Sequence, residues 1–243
     1  MKEGVVSTSP VAAPHRRAAA SDEQLGPPIE SVLVDYAGVL TNPLKELYSA
    51  FSQACGLSMD EIALVMTSAA IEFGRQPLEA LEVGEITERE FLDMIGDAIL
   101  REGTKQIDLS DFRRQWFTGV VPNVEFVEYL RRLRGGGYRL GLITNNVREW
   151  REVWAPTVPL SDFELVVDSC EQGCRKPEPA IYERTLALLG LEPSACLFVD
   201  DVWEHCATAR DLGMHTVWFQ STRQATFDID RVLARHRSPR GKG

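Results

Sequence analysis

Asp35, the Thr144-Asn145 pair, Lys176 and the Asp200-Asp201 pair are the residues whose types and positions can do chemistry together. Asp35 directly follows the short apolar run Ser31–Val34 and precedes Tyr36-Ala37-Gly38-Val39-Leu40-Thr41, where Gly38 permits a tight backbone path beside the carboxylate. A carboxylate at a strand end is a nucleophile candidate, or a cap for the loop that follows. Thr144 and Asn145 end another apolar run with hydroxyl and amide donors, which suit phosphate oxygens and equally suit a turn. Lys176 stands in Cys174-Arg175-Lys176-Pro177-Glu178-Pro179, where the prolines stiffen a loop leading into a helix. Held there, its ammonium can neutralise both a phosphate and a nucleophile; the competing reading is a solvated surface charge, which is also the reading for Arg175. Asp200 and Asp201 repel each other at a strand end unless a cation or donors compensate. Mg²⁺, hard and oxygen-seeking, is the natural compensator, and a helix N-cap is the alternative.

These residues need elements to hold them. Short β-branched runs at 31–34, 138–144, 165–167, 196–199 and 216–219 alternate with helical patterns at 124–134, 179–189 and 205–212. Gly190 and Gly213 stand where helix C-caps belong, and Gly135-Gly136-Gly137 marks a helix-to-strand turn. Such alternation predicts an α/β fold with a doubly wound parallel (Rossmann-like) sheet, whose ligands bind at the carboxyl ends of the strands. Residues 44–119 break the alternation with helical patterns alone, and Ser58/Glu61 and Thr87/Glu90 have capping-box spacing. They predict an inserted helical cap domain, leaving 30–43 and 120–231 as the core domain. Residues 1–29, rich in Ala, Ser and Pro, are expected to stay disordered, with His15, Arg16 and Arg17 as a solvated basic patch. Residues 232–243 read as a flexible basic tail.

A formal charge of −10 opposes a general nucleic-acid role, because that affinity depends on clustered Lys and Arg. No apolar run reaches the roughly 20 residues that cross a bilayer, and the first 28 residues lack the apolar stretch of a signal peptide. The cysteines are 5 in number and without a Cys-x-x-Cys pair; Cys196 and Cys206, in apolar or helical stretches, read as buried thiols, and a reduced cytoplasm fits best. The expected partner is a small phosphorylated substrate, with no nucleic acid and no membrane, and oligomeric state is left open.

In order, the motifs Asp35 to Thr41, Thr144-Asn145, Lys176-Pro177-Glu178-Pro179-Ala180-Ile181-Tyr182 and Phe198-Val199-Asp200-Asp201 resemble those of the haloacid dehalogenase superfamily. Ala209-Arg210-Asp211-Leu212-Gly213-Met214 looks like the N-terminal phosphatase domain of soluble epoxide hydrolases and related sugar-phosphate phosphatases. The resemblance implies a Mg²⁺-dependent phosphatase acting on a small phosphometabolite such as a sugar phosphate. Asp35 would be the nucleophile; Asp35, Asp201 and the Ala37 carbonyl would hold the metal, with Asp200 close behind. Thr144, Asn145 and Lys176 would hold the phosphoryl group, beneath the helical cap. One position departs from the pattern: Ala37 stands where most phosphatases of this family carry a second Asp that protonates the leaving oxygen and later activates water. Tyr36 and His205 are nameable substitutes, although Tyr36 is expected to pack under the loop and His205 to lie on a helix face.

Two alternatives stay open on the sequence. A dehalogenase-type hydrolase would use Asp35 without a metal, and the adjacent Asp200 and Asp201 argue against it, since they would repel a carboxylate substrate. A binding module without catalysis would explain Ala37, but not the retention of Asp35, Lys176 and Asp201. Phe73, Arg75 and Trp116 are candidates for choosing the substrate, and Trp150 and Trp154 for internal packing or a partner surface.

Overall fold

The computed structural model describes residues 27–105 and 107–236. Its frame is a 5-stranded sheet of order β3-β2-β1-β4-β5, formed by β1 (Ser31–Val34), β2 (Arg139–Thr144), β3 (Leu165–Asp168), β4 (Cys196–Asp200) and β5 (His215–Trp218). Every pairing is parallel. A parallel sheet is buried on both faces, so its strands read as continuous apolar runs, and all four residues of β1 are buried. Alternation then divides the core: Val32 and Val34 join one cluster, while Leu33 joins Ile143, Phe198 and Tyr182 on the other side.

The crossovers are α6 (Val124–Gly135) before β2, α7 (Arg151–Trp154) before β3, α8 (Ser169–Gln172) and α9 (Pro179–Leu189) before β4, α10 (Trp203–Asp211) before β5, and the closing α11 (Thr222–Arg235). Asn123 caps α6 by accepting from Phe126 N at 3.2 Å, and Gly190, at φ 66°, ends α9. Between β1 and β2 lie α1 (Leu44–Cys55), α2 (Met59–Phe73), α3 (Pro77–Glu82), α4 (Glu88–Glu102) and α5 (Phe112–Phe117). Both capping boxes form, at Ser58/Glu61 and Thr87/Glu90, each satisfying two backbone N–H groups that the helix itself leaves unpaired. α2 packs on α4 and α1 on α5. An aromatic group of Phe51, Phe91, Phe112 and Trp116 fills the space between these helices. Where the chain leaves and re-enters the sheet layer, the connecting segments bind each other: Thr41 bridges Pro122, Asn42 N donates to Val121 O at 2.9 Å, and Asn42 Oδ1 accepts from Val121 N at 2.9 Å.

The chain ends need correction against the sequence reading. Ile29 is buried in the core and Glu30 N donates to Ala195 O at 2.8 Å, so order begins before residue 30. α11 runs to Arg235 with Leu233 buried, four residues into the segment read as a tail, because its apolar positions continue at helical spacing. The basic patch His15, Arg16 and Arg17 and residues 237–243 lie outside the described residues. Trp150 and Trp154 are buried, which resolves them in favour of internal packing. Among the described residues no single helix is long and apolar enough to cross a membrane; only the bent pair α1–α2 passes by length and composition.

Candidate active site

The sheet order reverses at β1, with β2 on one side and β4 on the other, and the residues just past these three strand ends converge. Val34 is in register with Leu142 and Val199, so Asp35 emerges level with Ile143, one residue before Thr144, and with Asp200, and its N–H donates to Val199 O at 2.9 Å. Lys176 enters from the loop before α9. Its side chain is 1% exposed, and Nζ lies 2.6 Å from Asp35 Oδ1 and 2.7 Å from Asp200 Oδ2. Burying an isolated ammonium is costly, and these carboxylates are what make it tolerable. Burial alone would lower the Lys176 pKa; Asp200 and Asp35 reverse that and hold it above the ordinary lysine value.

Asp200 is fully engaged. Oδ1 accepts from Val202 N at 2.8 Å, His205 Nδ1 sits 3.0 Å from both oxygens, and Oδ2 takes Lys176. Burial pushes its carboxyl up, but Lys176 and His205 outweigh this and hold it below the usual range. Asp35 goes the other way: burial dominates over Lys176 and raises it. Asp201 is the uncompensated member. Its Oδ1 is buried without a hydrogen-bond partner, and burial followed by the charges of Asp35 and Asp200 pushes its pKa up to about 7. The loop admits Asp201 because residue 38 is glycine: at φ 81°, an added Cβ would meet Asp201 Oδ2 at 2.1 Å.

Asp35, Asp200 and Asp201 each offer an oxygen within 4.8 Å of the others. Carboxylate oxygens gathered so closely, one of them orphaned, fit a hard divalent cation better than they fit each other. The open oxygen belongs to Asp201, whereas those of Asp200 are committed to Lys176, Val202 and His205.

Other positions are brought in with altered tasks. Thr144 is buried at the end of β2 and lines the same cavity. Asn145 clamps the lysine loop: Nδ2 donates to Lys176 O at 2.9 Å and Oδ1 accepts from Lys176 N at 2.8 Å. Ala37 and Tyr36 also line the cavity. The Tyr36 hydroxyl pairs with Thr157 at 2.8 Å and burial pushes it up to about 12, so it is unsuited to donate a proton. His205 lies on helix α10, as expected, and from there its Nδ1 joins the carboxylate network. Arg175, expected at the surface, is drawn inward by helix α3: Nε lies 2.8 Å from Glu82 and Nη1 3.0 Å from Glu79. No local pattern marks that contact, since the partners are more than 90 residues apart. Of the helical candidates for substrate choice, Trp116 lines the cavity; Phe73 and Arg75 do not, Arg75 pairing with Glu85 instead.

The result is a doubly wound α/β protein with a lysine-braced carboxylate cluster at its switch point. The chain belongs to the haloacid dehalogenase-like hydrolase family, whose profile matches residues 29–213. It is 26% identical to the rat bifunctional epoxide hydrolase 2 over 82% of this chain and 38% of that protein. It is also 32% identical to a glyceraldehyde 3-phosphate phosphatase of Pyrococcus furiosus over 52% of this chain and 58% of the relative. This chain thus spans well under two thirds of either relative's length. A HAD family enzyme of Bacteroides thetaiotaomicron, solved in complex with magnesium and inorganic phosphate, superposes with a TM-score of 0.59 at 25% identity, covering 78% of this chain and 93% of that one.

Proposed function

We propose that the protein is a Mg²⁺-dependent phosphatase that hydrolyses a small phosphomonoester through an aspartyl-phosphate on Asp35. The observation that carries this reading is the buried Lys176, braced between Asp35 and Asp200, beside the orphaned Asp201 oxygen. Residues 44–119 act as the cap and 30–43 with 120–231 as the core, in a cytoplasmic protein. Asp35, Asp201 and the Ala37 carbonyl, backed by Asp200, would hold Mg²⁺, which when bound would offset the charge of phosphate beside carboxylates.

Lys176 binds Asp35 Oδ1, leaving the other oxygen of that carboxylate to attack phosphorus. The phosphorus–oxygen ester bond breaks with its electron pair on the departing alcohol oxygen, which takes a proton from solvent because Ala37 has none to give. Water then attacks the phosphorus of the acyl phosphate; the Asp35 carboxylate is restored, inorganic phosphate leaves and the water proton passes to solvent. Thr144 and Lys176 orient the phosphoryl oxygens, and Asn145 keeps the Lys176 loop in place. A dehalogenase would have to bring a carboxylate substrate beside Asp201, where burial and then the charges of Asp35 and Asp200 already disfavour a further carboxylate. The name of the archaeal relative supports a sugar phosphate as substrate; the cavity walls bear on that point separately.

The test is phosphate release from a panel of sugar, alkyl and acyl phosphates with Mg²⁺ or with EDTA. Turnover that needs the metal and disappears in Asp35→Asn is expected. Absence of turnover on every ester would overturn the reading in favour of a binding module.

A further inference from the structure

Above the carboxylates lies a cavity of about 350 Å³, at the small end of ligand pockets. Its outer wall is made by Leu44, Leu47, Leu78, Trp116, Phe117 and Val120, with Tyr48, Phe51 and Trp150 beside them. A second, apolar recess of about 120 Å³ lies beside it among the helices, and Tyr48, Phe51, Leu78, Trp116 and Trp150 border both spaces.

The polar side chains of this wall are largely engaged with the protein itself. Glu82 and Arg175 pair with each other at 2.8 Å, and Trp150 Nε1 donates to Glu88 at 2.7 Å. The Asn145 amide holds the Lys176 backbone, and Asn146 Oδ1 accepts from Val147 N at 2.9 Å. Away from the carboxylate end, the Tyr48 hydroxyl, the Asn146 amide nitrogen and the second terminal nitrogen of Arg175 are the few donors left to meet a polar substituent, against a wall that is mostly apolar. A polyhydroxylated leaving group would surrender its hydrogen bonds to water in such a space and recover few of them, whereas an apolar one gains by leaving water.

Resting on the phosphatase reading, we infer that the substrate is the monophosphate ester of an apolar alcohol, an alkyl chain or an aromatic ring, whose hydrocarbon end enters the recess between the helices. Phosphate is recognised at Lys176 and the carboxylates, and the hydrocarbon at the wall of Leu47, Leu78 and Trp116. On this assignment sugar phosphates are poor substrates despite the name of the archaeal relative.

The experiment compares kcat/KM for hexyl phosphate with that for glycerol 3-phosphate and glyceraldehyde 3-phosphate, with Mg²⁺ present. All are phosphates of primary alcohols, and the extra oxygens of the hydroxylated esters make theirs the better leaving groups, so a preference for hexyl phosphate runs against the chemical step and reports the wall. A preference for hexyl phosphate of at least about tenfold is expected, a modest demand for several buried methylenes. Equal rates, or a preference for the hydroxylated esters, would overturn the inference while leaving the phosphatase reading intact. Leu78→Asn should cut the preference at least about fivefold; an unchanged preference in a folded variant counts against the assignment. Binding of hexylphosphonate to the wild-type protein, followed by the fluorescence of Trp116 and Trp150, needs no turnover. Saturable quenching at lower concentration than with inorganic phosphate is expected, and its absence would sink the inference. Should the phosphonate bind while no ester is hydrolysed, the reaction reading falls and the apolar site stands.

Discussion

Ala37 is the residue on which the chemistry turns. It faces the cavity two positions beyond Asp35, with a methyl group that can neither give nor take a proton. A positioned general acid contributes about 10²–10⁴-fold where the leaving group is poor and far less where it is good. Ala37→Asp is therefore expected to raise kcat on an alkyl phosphate at least about tenfold and to change kcat on acetyl phosphate little. Equal effects on both substrates would mean that proton supply does not limit this enzyme. Tyr36 does not fill the gap, with its hydroxyl on Thr157 and its pKa pushed up to about 12. At this scale the sequence was informative about residue type: Asp35, Thr144, Lys176, Asp200 and Asp201 all reach one place. What it concealed was the division of labour. Nothing in the pair Asp200-Asp201 indicates that the first side chain turns to Lys176 and His205 while the second is left with a bare oxygen, because that depends on which way each residue faces as β4 ends.

At the scale of elements, the link between helix α3 and the lysine loop is the Arg175 pairing. Glu82 is pushed up by burial and drawn back by Arg175. Removing only the guanidinium strands that carboxylate, while removing both does not. Arg175→Met should destabilise the protein by about 1–2 kcal/mol, a figure discounted for the partial exposure of the pair, and Arg175→Met with Glu82→Leu should recover most of it. Thermal unfolding of the single and double variants gives the answer, and additive losses would remove the link. The strands, the main crossover helices and both capping boxes were legible because their signals are local: alternation of apolar runs, Ser or Thr three residues before Glu, glycine past a helix end. The Arg175 contact was not legible, since a basic residue in a polar loop looks solvated until a helix 90 residues away is folded against it. The same holds for Trp116 against Phe73 and Arg75, which share a helical segment but not a wall.

For the whole molecule, a cation held by Asp35 and Asp201, as proposed, would tie β1 to β4 and relieve their mutual repulsion. A ligand that binds only the folded state stabilises it by mass action, about 2.7 kcal/mol at a hundredfold excess over Kd. Mg²⁺ should raise the unfolding temperature of the parent protein, and Asp201→Asn should abolish most of that rise. A Mg²⁺ effect that survives the substitution would locate the cation elsewhere. β1 lies in the middle of the sheet, yet Ser31 pairs with Arg139 and with Cys196, and the helices α1 to α5 are made before either neighbour. On the ribosome, Asp35 therefore appears early and waits. Lys176, Asp200 and Asp201 are all made more than 130 residues later. A chain released before Lys176 would carry the proposed nucleophile without its lysine brace or its acidic neighbours, so such truncated products of translation should be catalytically silent.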